Sequence, residues 1–223
     1  RERRRPRASK IVGMERRSFL TLPVAAAAMA APTPPLAAKI RAFGLDWQVM
    51  AAEDWKVEGT GASEVLHLVT AKPQQKDPRR PTQFALAETE PIGKFTLEVE
   101  VKRLAPKGSL IIVYAWERDG YFNYLHLSDD LASKVEVHNG VFHCYGGDRV
   151  RISPKPGPAT LPTEGWHKVK MTYDASRGLL ESWVDGVTSP SIKGIDLSLG
   201  AGRIGLGSFF NTGSFRNFKL ERI

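Results

Sequence analysis

From Lys39 onward the chain alternates between apolar and polar residues with a period of two. In KFTLEVEVKR, Phe95, Leu97, Val99 and Val101 fall on one side and Thr96, Glu98, Glu100 and Lys102 on the other, the pattern of a strand with one wet face. Comparable segments follow: SLIIVYAW from Ser109, YFNYLHL from Tyr121, KVEVHN from Lys134, VFHCY from Val141, WHKVKMTY from Trp166, LLESWVDG from Leu179, RIGLGSF from Arg203 and SFRNFKL from Ser214. Asp119-Gly120, Asn139-Gly140, Gly146-Gly147, Arg177-Gly178 and Asp185-Gly186 read as the turns between them. No segment carries a helical stripe of similar strength. Many short strands at this spacing predict an all-β fold, an antiparallel β-sandwich. The proline-rich runs KPQQKDPRRP and SPKPGPATLP read as surface connections inside one domain rather than as linkers.

One motif points elsewhere. Gly200, Gly202 and Gly205 spell G-x-G-x-x-G, with Glu221 about twenty positions on, the fingerprint of a dinucleotide site. That chemistry needs a helix opening directly after the glycines, because the helix N-terminus holds the pyrophosphate. Here Leu206, Gly207, Ser208, Phe209, Phe210, Asn211, Thr212 and Gly213 follow, and nothing in them starts a helix. The glycines are expected instead to let a strand bend and let a neighbouring backbone come close.

Charge separates the first residues from the rest. Up to position 30, eight Lys and Arg residues (Arg1, Arg3, Arg4, Arg5, Arg7, Lys10, Arg16, Arg17) face two acids, Glu2 and Glu15, so this block holds six of the chain's net +8 and leaves +2 for the remainder. From Met14 the sequence MERRSFLTLPVAAAAMAAPTPPLAA has a basic start, a short alanine-rich apolar run and small residues suited to cleavage, the layout of an export leader. Residues 1–38 are therefore expected to be a leader with a short Pro/Ala linker, translation starting at Met14, and residues 39–223 a single domain. The apolar run, interrupted by Pro23, is too short to span a bilayer. Arg16-Arg17-Ser18-Phe19-Leu20 resembles the bacterial twin-arginine export motif, with Glu15 and Thr21 departing from it on either side. The resemblance implies a periplasmic or extracellular protein. The competing reading is a disordered basic arm that binds nucleic acid, but a domain at +2 gives such a partner little electrostatic footing. The single Cys144 excludes an intramolecular disulfide, so the domain must stand on its core alone or use the thiol between chains.

Several stretches carry a family resemblance: Trp47 and Trp55 with WKVEG, then EGWHKVKMTYDASRGLLESWVDGV, then GRIGLGSFFNTGSFRNFKL. They resemble the opening, late hairpin and closing strands of concanavalin A-like, laminin-G-like jelly-roll domains (the lectin and glucanase fold). Among these the chain is most similar to the secreted bacterial 3-keto-disaccharide hydrolase, or family-16-like, group. The resemblance covers everything after about Lys39 and implies an exported, glycan-active jelly roll with carbohydrate as its partner. It implies a hydrolase of a disaccharide or 3-keto-glycoside. A non-catalytic carbohydrate-binding or adhesion module is the alternative, since one fold serves both.

The residues discriminate among the chemistries open to that fold. Family-16 glucanases carry a Glu-x-Asp-x-(x)-Glu strand, and retaining cleavage needs two carboxyls about 5 Å apart. Glu98 and Glu100 alternate correctly, but Lys102 stands where a third acid should be, so they read as a solvated face. Glu181 and Asp185 lack a matching acid between them. The polar stretch from Tyr121 to Arg149 is the better candidate. A two-residue turn at Asn139-Gly140 would set Glu136 opposite His143 and Val137 opposite Phe142. Val135, Val137, Phe142 and Cys144 would then form a core face, with Glu136, His138, His143 and Tyr145 on the other. Phe122, Tyr124 and His126 share a face by the same alternation. Rings beside imidazole and carboxylate suit a sugar. His126, His138 and Glu136 are the candidate catalytic groups on protonation chemistry, and Tyr124, Asp129, Asp130, Asn139, His143 and Arg149 the candidate binding residues. The same positions resemble the family stretch in which an aromatic strand ending in His-Leu is followed by Asp, His-Asn and Arg. Exposed strand positions and satisfied surface histidines are the plain alternative. No zinc spacing is present. The sequence calls for no cofactor, although calcium on Asp129, Asp130 and Asn211 is open. Trp166 and Trp183 are expected to pack the core or a sheet rim.

Overall fold

The computed structural model describes residues 35–129, 137–154 and 158–223. Two antiparallel sheets lie face to face as a β-sandwich, the jelly-roll type of architecture. Sheet A is ordered β1 (Ala38–Ala42), β2 (Leu45–Val49), β5 (Gln83–Ala87), β14 (Arg203–Ser208), β7 (Ser109–Arg118), β8 (Tyr121–Ser128), β9 (Gly140–Tyr145) and β10 (Val150–Arg151). Sheet B is ordered β13 (Ile192–Ile195), β12 (Leu179–Val184), β11 (His167–Asp174), β6 (Lys94–Arg103), β15 (Gly213–Arg222), β4 (Val65–Leu68) and β3 (Trp55–Glu58). Two single 3-10 turns, Ala52–Asp54 and Gly61–Ser63, are the only helical elements among the described residues, and no helix there is long and apolar enough to cross a membrane.

The alternation read in β6 holds: Phe95, Leu97, Val99 and Val101 are buried between the sheets, and Thr96, Glu98, Glu100 and Lys102 line the outside. On β11 Val169, Met171 and Tyr173 join the same core while Lys168 and Lys170 stay exposed. Sheet A supplies Leu110, Ile112, Tyr114, Leu125, Leu127 and Val141 from its inner face. Trp47 is fully buried there, its indole N–H donating to the Ala42 carbonyl at 2.9 Å.

Sheet A is buried on its outer face as well. Phe84, Leu86, Ile111, Val113, Phe122, Tyr124, Phe142, Cys144 and Phe209 form a second apolar cluster there. This is why β7 and β8 read as near-continuous apolar runs rather than alternating ones. Two connections meet over the cluster: the Arg149 amide donates to the Arg79 carbonyl at 3.0 Å, and the Arg79 amide to the Asp148 carboxylate at 2.7 Å.

The glycine fingerprint runs from an irregular connection and a bend, through an isolated bridge at Gly202, into strand β14. Gly205 and Gly207 sit in β14 between β5 and β7. A Cβ at Gly207 would collide with the Gln83 carbonyl and Phe84, and one at Gly202 with the Ala115 backbone, so close approach is what these positions require. The expected strand from Lys134 differs. Residues 134–136 lie outside the described residues, and Val137, His138 and Asn139 form a turn and bend. Asn139-Gly140 is not a two-residue hairpin, because β9 pairs with β8 and β10: Phe142 is opposite Tyr124 and Arg151, and His143 opposite Asn123 and Val150. The physical reason is a long-range clamp. The Arg151 guanidinium binds the carbonyls of His138 and Asn139 and the Ser153 hydroxyl, occupying the space a Cβ at Gly140 would need.

Candidate functional site

The outer faces of the two sheets offer different chemistry. On sheet A, β8 presents Phe122, Tyr124 and His126 outward, as its alternation predicts, but β9 adds Phe142 and Cys144 to that same face. His143 points the other way. Its Nδ1 lies 2.9 Å from the Asn123 side-chain oxygen and 3.1 Å from the Asp196 carboxylate. The expectation that His143 shares a face with the other candidates is therefore corrected, because β9 takes its register from β8 and not from a hairpin with residues 134–139. Burial works to raise the Asp196 carboxyl, but hydrogen bonds from Ser198 and Asn123 outweigh it and hold the group below its ordinary value.

Arg149 closes the sheet A face. Its guanidinium lies 4.6 Å from the centres of both the Phe142 and Phe209 rings. It donates to the Tyr124 hydroxyl at 2.9 Å and the Val137 carbonyl at 3.0 Å, and approaches His126 Nδ1 at 3.3 Å. An arginine can only donate, so His126 Nδ1 is the acceptor and the imidazole is the neutral tautomer carrying its proton on Nε2. That Nε2 makes no hydrogen bond among the described residues. Burial, followed by the charge of Arg149 and the neighbouring His138 and Arg151, pushes the His126 pKa well below its ordinary value. Burial likewise raises the Tyr124 phenol, against the opposing pull of Arg149.

His126 and His138 do come together, edge to face with ring centres 4.8 Å apart, and His138 Nδ1 lies 3.4 Å from the Ser128 hydroxyl. Tyr124, His126 and Asn139 are all buried. The Asn139 side-chain oxygen is occupied by the Ser128 amide at 2.9 Å and the Thr160 hydroxyl at 2.8 Å. Of the candidates among the described residues, His138 and Asp129 open onto a cavity, one of about 130 Å³ shared with Lys107, Phe210 and Asn211. Asp129 accepts from the Gly108 amide at 2.9 Å and Asn211 from the Ser109 amide at 3.0 Å. Glu136 and Asp130 lie outside the described residues. Among the described residues no three His, Cys, Asp or Glu side chains gather where a metal could sit.

Sheet B carries the larger opening, a cleft of about 920 Å³ over β6, β11 and β15. Its walls include Phe43, Phe218, Glu98, Glu100, Lys168 and Asn217. Local backbone chemistry builds both ends of its aromatic side. Phe43 and Gly44 turn between β1 and β2 with φ of 54° and 74°. In β15, Arg216 is opposite Glu100 and Lys219 opposite Glu98, so three steps on one strand match two on the other. This bulge sits at Asn217, whose φ of 54° is a conformation asparagine tolerates better than most residues. It puts Phe218 in a stack with Phe43, centres 5.7 Å apart. Asn217 donates to Glu100 at 2.8 Å, and Arg216 pairs with the same carboxylate at 2.7 Å. Burial works to raise the Glu100 carboxyl, yet these partners hold it below the usual carboxylate range. Glu98 pairs with Lys168 at 3.2 Å.

A second cleft of about 290 Å³ adjoins it, lined by Trp183, Lys170 and Val187 and sharing Glu98 and Lys168 with the first. Trp183 is thus half-buried on a sheet face rather than packed in the core. Trp166 is also half-buried, with the Arg216 guanidinium 4.2 Å from its ring centre. Alternation alone makes Glu98 and Glu100 a solvated face. They are half-buried walls of a groove, and the signal for it is the register of β6 with β11 and β15.

No family model and no curated protein matches the chain. Solved structures do. A carbohydrate-binding module, CBM66 from Bacillus subtilis, superimposes with a TM-score of 0.55 at 15% identity, over 78% of this chain and 94% of its own. A functionally unknown protein from Saccharomyces cerevisiae gives 0.49 at 15% identity, over 75% and 92%. Lectin I-B4 from Griffonia simplicifolia gives 0.43 at 10% identity, over 75% and 91%. The first of these shows a shared fold, and at such an identity the fold is all that the likeness shows.

Proposed function

We propose that this chain is a carbohydrate-binding jelly-roll protein whose ligand lies in the groove on the outer face of sheet B. One observation carries the reading: ring faces and hydrogen-bonding side chains lie along two adjoining clefts that share Glu98 and Lys168, with Phe43 and Phe218 in one part, Glu98, Glu100, Asn217 and Lys168 between, and Trp183 beyond. A sugar has one apolar C–H face to stack and a rim of hydroxyls to donate and accept, and this surface offers partners for both. The shared fold with a carbohydrate-binding module agrees with it. Export by the twin-arginine-like leader, to the periplasm or outside, would bring the groove to extracellular glycans.

A hydrolase is the second reading, favoured by His138 and Asp129 lining one small cavity beside buried His126. An imidazole and a carboxylate there could take and return a proton. The 3-keto-disaccharide hydrolase resemblance belongs with this reading, since a base that removes the C2 proton of a 3-keto sugar needs no carboxylate pair.

Calorimetry against a glycan panel, run beside sugar release from disaccharides and their 3-keto derivatives, separates the two. The binding reading expects saturable binding that drops about tenfold or more in Trp183→Ala or Phe218→Ala, with no turnover. Turnover that survives Trp183→Ala and disappears in a folded His138→Ala variant would overturn it in favour of the hydrolase.

A further inference from the structure

One register line crosses four neighbouring strands on the outer face of sheet B. Trp183 on β12 is opposite Lys170 on β11, Lys170 is opposite Glu98 on β6, and Glu98 is opposite Lys219 on β15. Directly opposed residues share a face, and with strands about 4.8 Å apart the line runs roughly 14 Å. Glu98 stands between two lysines and yet neutralises neither, because its ion pair runs diagonally to Lys168 at 3.2 Å.

The surrounding charges are committed elsewhere. Glu100 is held by Arg216 and Asn217, Arg41 pairs with Asp46 at 2.8 Å, and Glu64 accepts from the Phe43 amide. Among the described residues, Lys170 and Lys219 have no carboxylate within ion-pair distance. Lys170 lines the smaller cleft, its ammonium 5.9 Å from the Trp183 ring centre, and Lys219 lines the larger one. Two uncompensated cations thus flank a hydrogen-bonding carboxylate, two strand spacings apart, a separation comparable with the screening length of physiological salt.

We infer that the groove takes an acidic oligosaccharide, one whose sugar rings carry carboxylates, with Lys170 and Lys219 meeting the acid groups and Trp183 stacking a ring. The inference rests on the carbohydrate reading of this groove and names its ligand class. A neutral sugar would leave both cations unanswered. A polymer with denser charge than one acid per sugar ring, such as a polyphosphate, would meet Glu98 and Glu100 head on. A sugar acid answers both features, since it places hydroxyls against the glutamates and its sparser carboxylates against the lysines.

The experiment is titration of the full chain with an oligogalacturonate, a neutral cello-oligosaccharide of the same length, and inorganic polyphosphate. The oligogalacturonate is expected to bind best, to weaken as salt is raised, and to lose about tenfold or more in the Lys170→Gln, Lys219→Gln double variant. The Lys170→Arg, Lys219→Arg variant should retain binding, because it keeps the charge. Both lysines are exposed, so circular dichroism serves as a simple check that the glutamine variant is folded. Neutral oligosaccharide binding as tightly, or indifference to the glutamine pair, would overturn the acidic assignment while leaving the carbohydrate reading intact. Tightest binding to polyphosphate, or no saccharide binding at all, would remove both.

Discussion

The guanidinium of Arg149 donates to the hydroxyl of Tyr124 at 2.9 Å, and the phenol it serves is fully buried. Around this contact the outer face of sheet A is sealed, since the same guanidinium covers two aromatic rings and binds a carbonyl. Replacing Arg149 with methionine leaves the Tyr124 hydroxyl and Val137 carbonyl without their donor, at a cost of roughly 2–4 kcal/mol. Lysine restores the charge but cannot reach both acceptors from a stacked position, so it should recover less than half of that loss in urea unfolding.

Beside it, His126 makes stability depend on pH. Its folded pKa is depressed by burial and by the cations of Arg149 and Arg151 with His138 alongside. The folded state keeps the ring neutral while the unfolded chain takes up a proton below about pH 6.5. Stability from this group is therefore complete above that value and lost as pH falls through it. The melting temperature should drop between about pH 7.5 and 5.5, and His126→Gln should flatten that slope. An unchanged slope would mean that other groups set it.

Asn217 joins backbone and groove. Asn217→Val forces a β-branched residue to positive φ and removes the bond to Glu100, for an expected loss of about 1–3 kcal/mol. Asn217→Gly keeps the backbone and loses only the side chain. It should be nearly as stable as the parent, and calorimetry should show its carbohydrate affinity reduced.

The glycines of the false nucleotide motif can be told apart by substitution. Gly207→Ala drives a methyl into the neighbouring strand, and should cost about 3 kcal/mol. At Gly200 a Cβ meets nothing within 4 Å, so Gly200→Ala should stay within about 0.5 kcal/mol of the parent. Equal effects at both positions in chemical denaturation would contradict the close packing of β14 against β5.

The sandwich was legible because burial on one face writes itself into alternate residues, as in β6 and β11. What alternation does not carry is the partner across the sheet. Lys170, Glu98 and Lys219 are separated by dozens of residues, and only the register makes them a row. The same limit explains Asn139-Gly140: the local turn chemistry is real, but Arg151, a dozen residues later, occupies the space and β9 pairs elsewhere. His126 and His138, grouped by their chemistry in the sequence, stand side by side in the fold. The burial of His126 was not foreseeable, because the residue that covers it comes from the connection carrying Arg149. The absence of a helix after Gly205 was legible, and it was enough to dismiss the nucleotide reading.

Cys144, the chain's one cysteine, lies under the sealed face with its thiol pushed up to about 12 by burial. A thiol that is neither exposed nor ionised will ignore maleimides while the protein stays folded. The protein is therefore a silent background for covalent labelling. An Ala62→Cys variant, on the exposed rim of the large cleft, would carry the sole reactive thiol. A fluorophore attached there would report the filling of the groove optically, whatever sugar fills it.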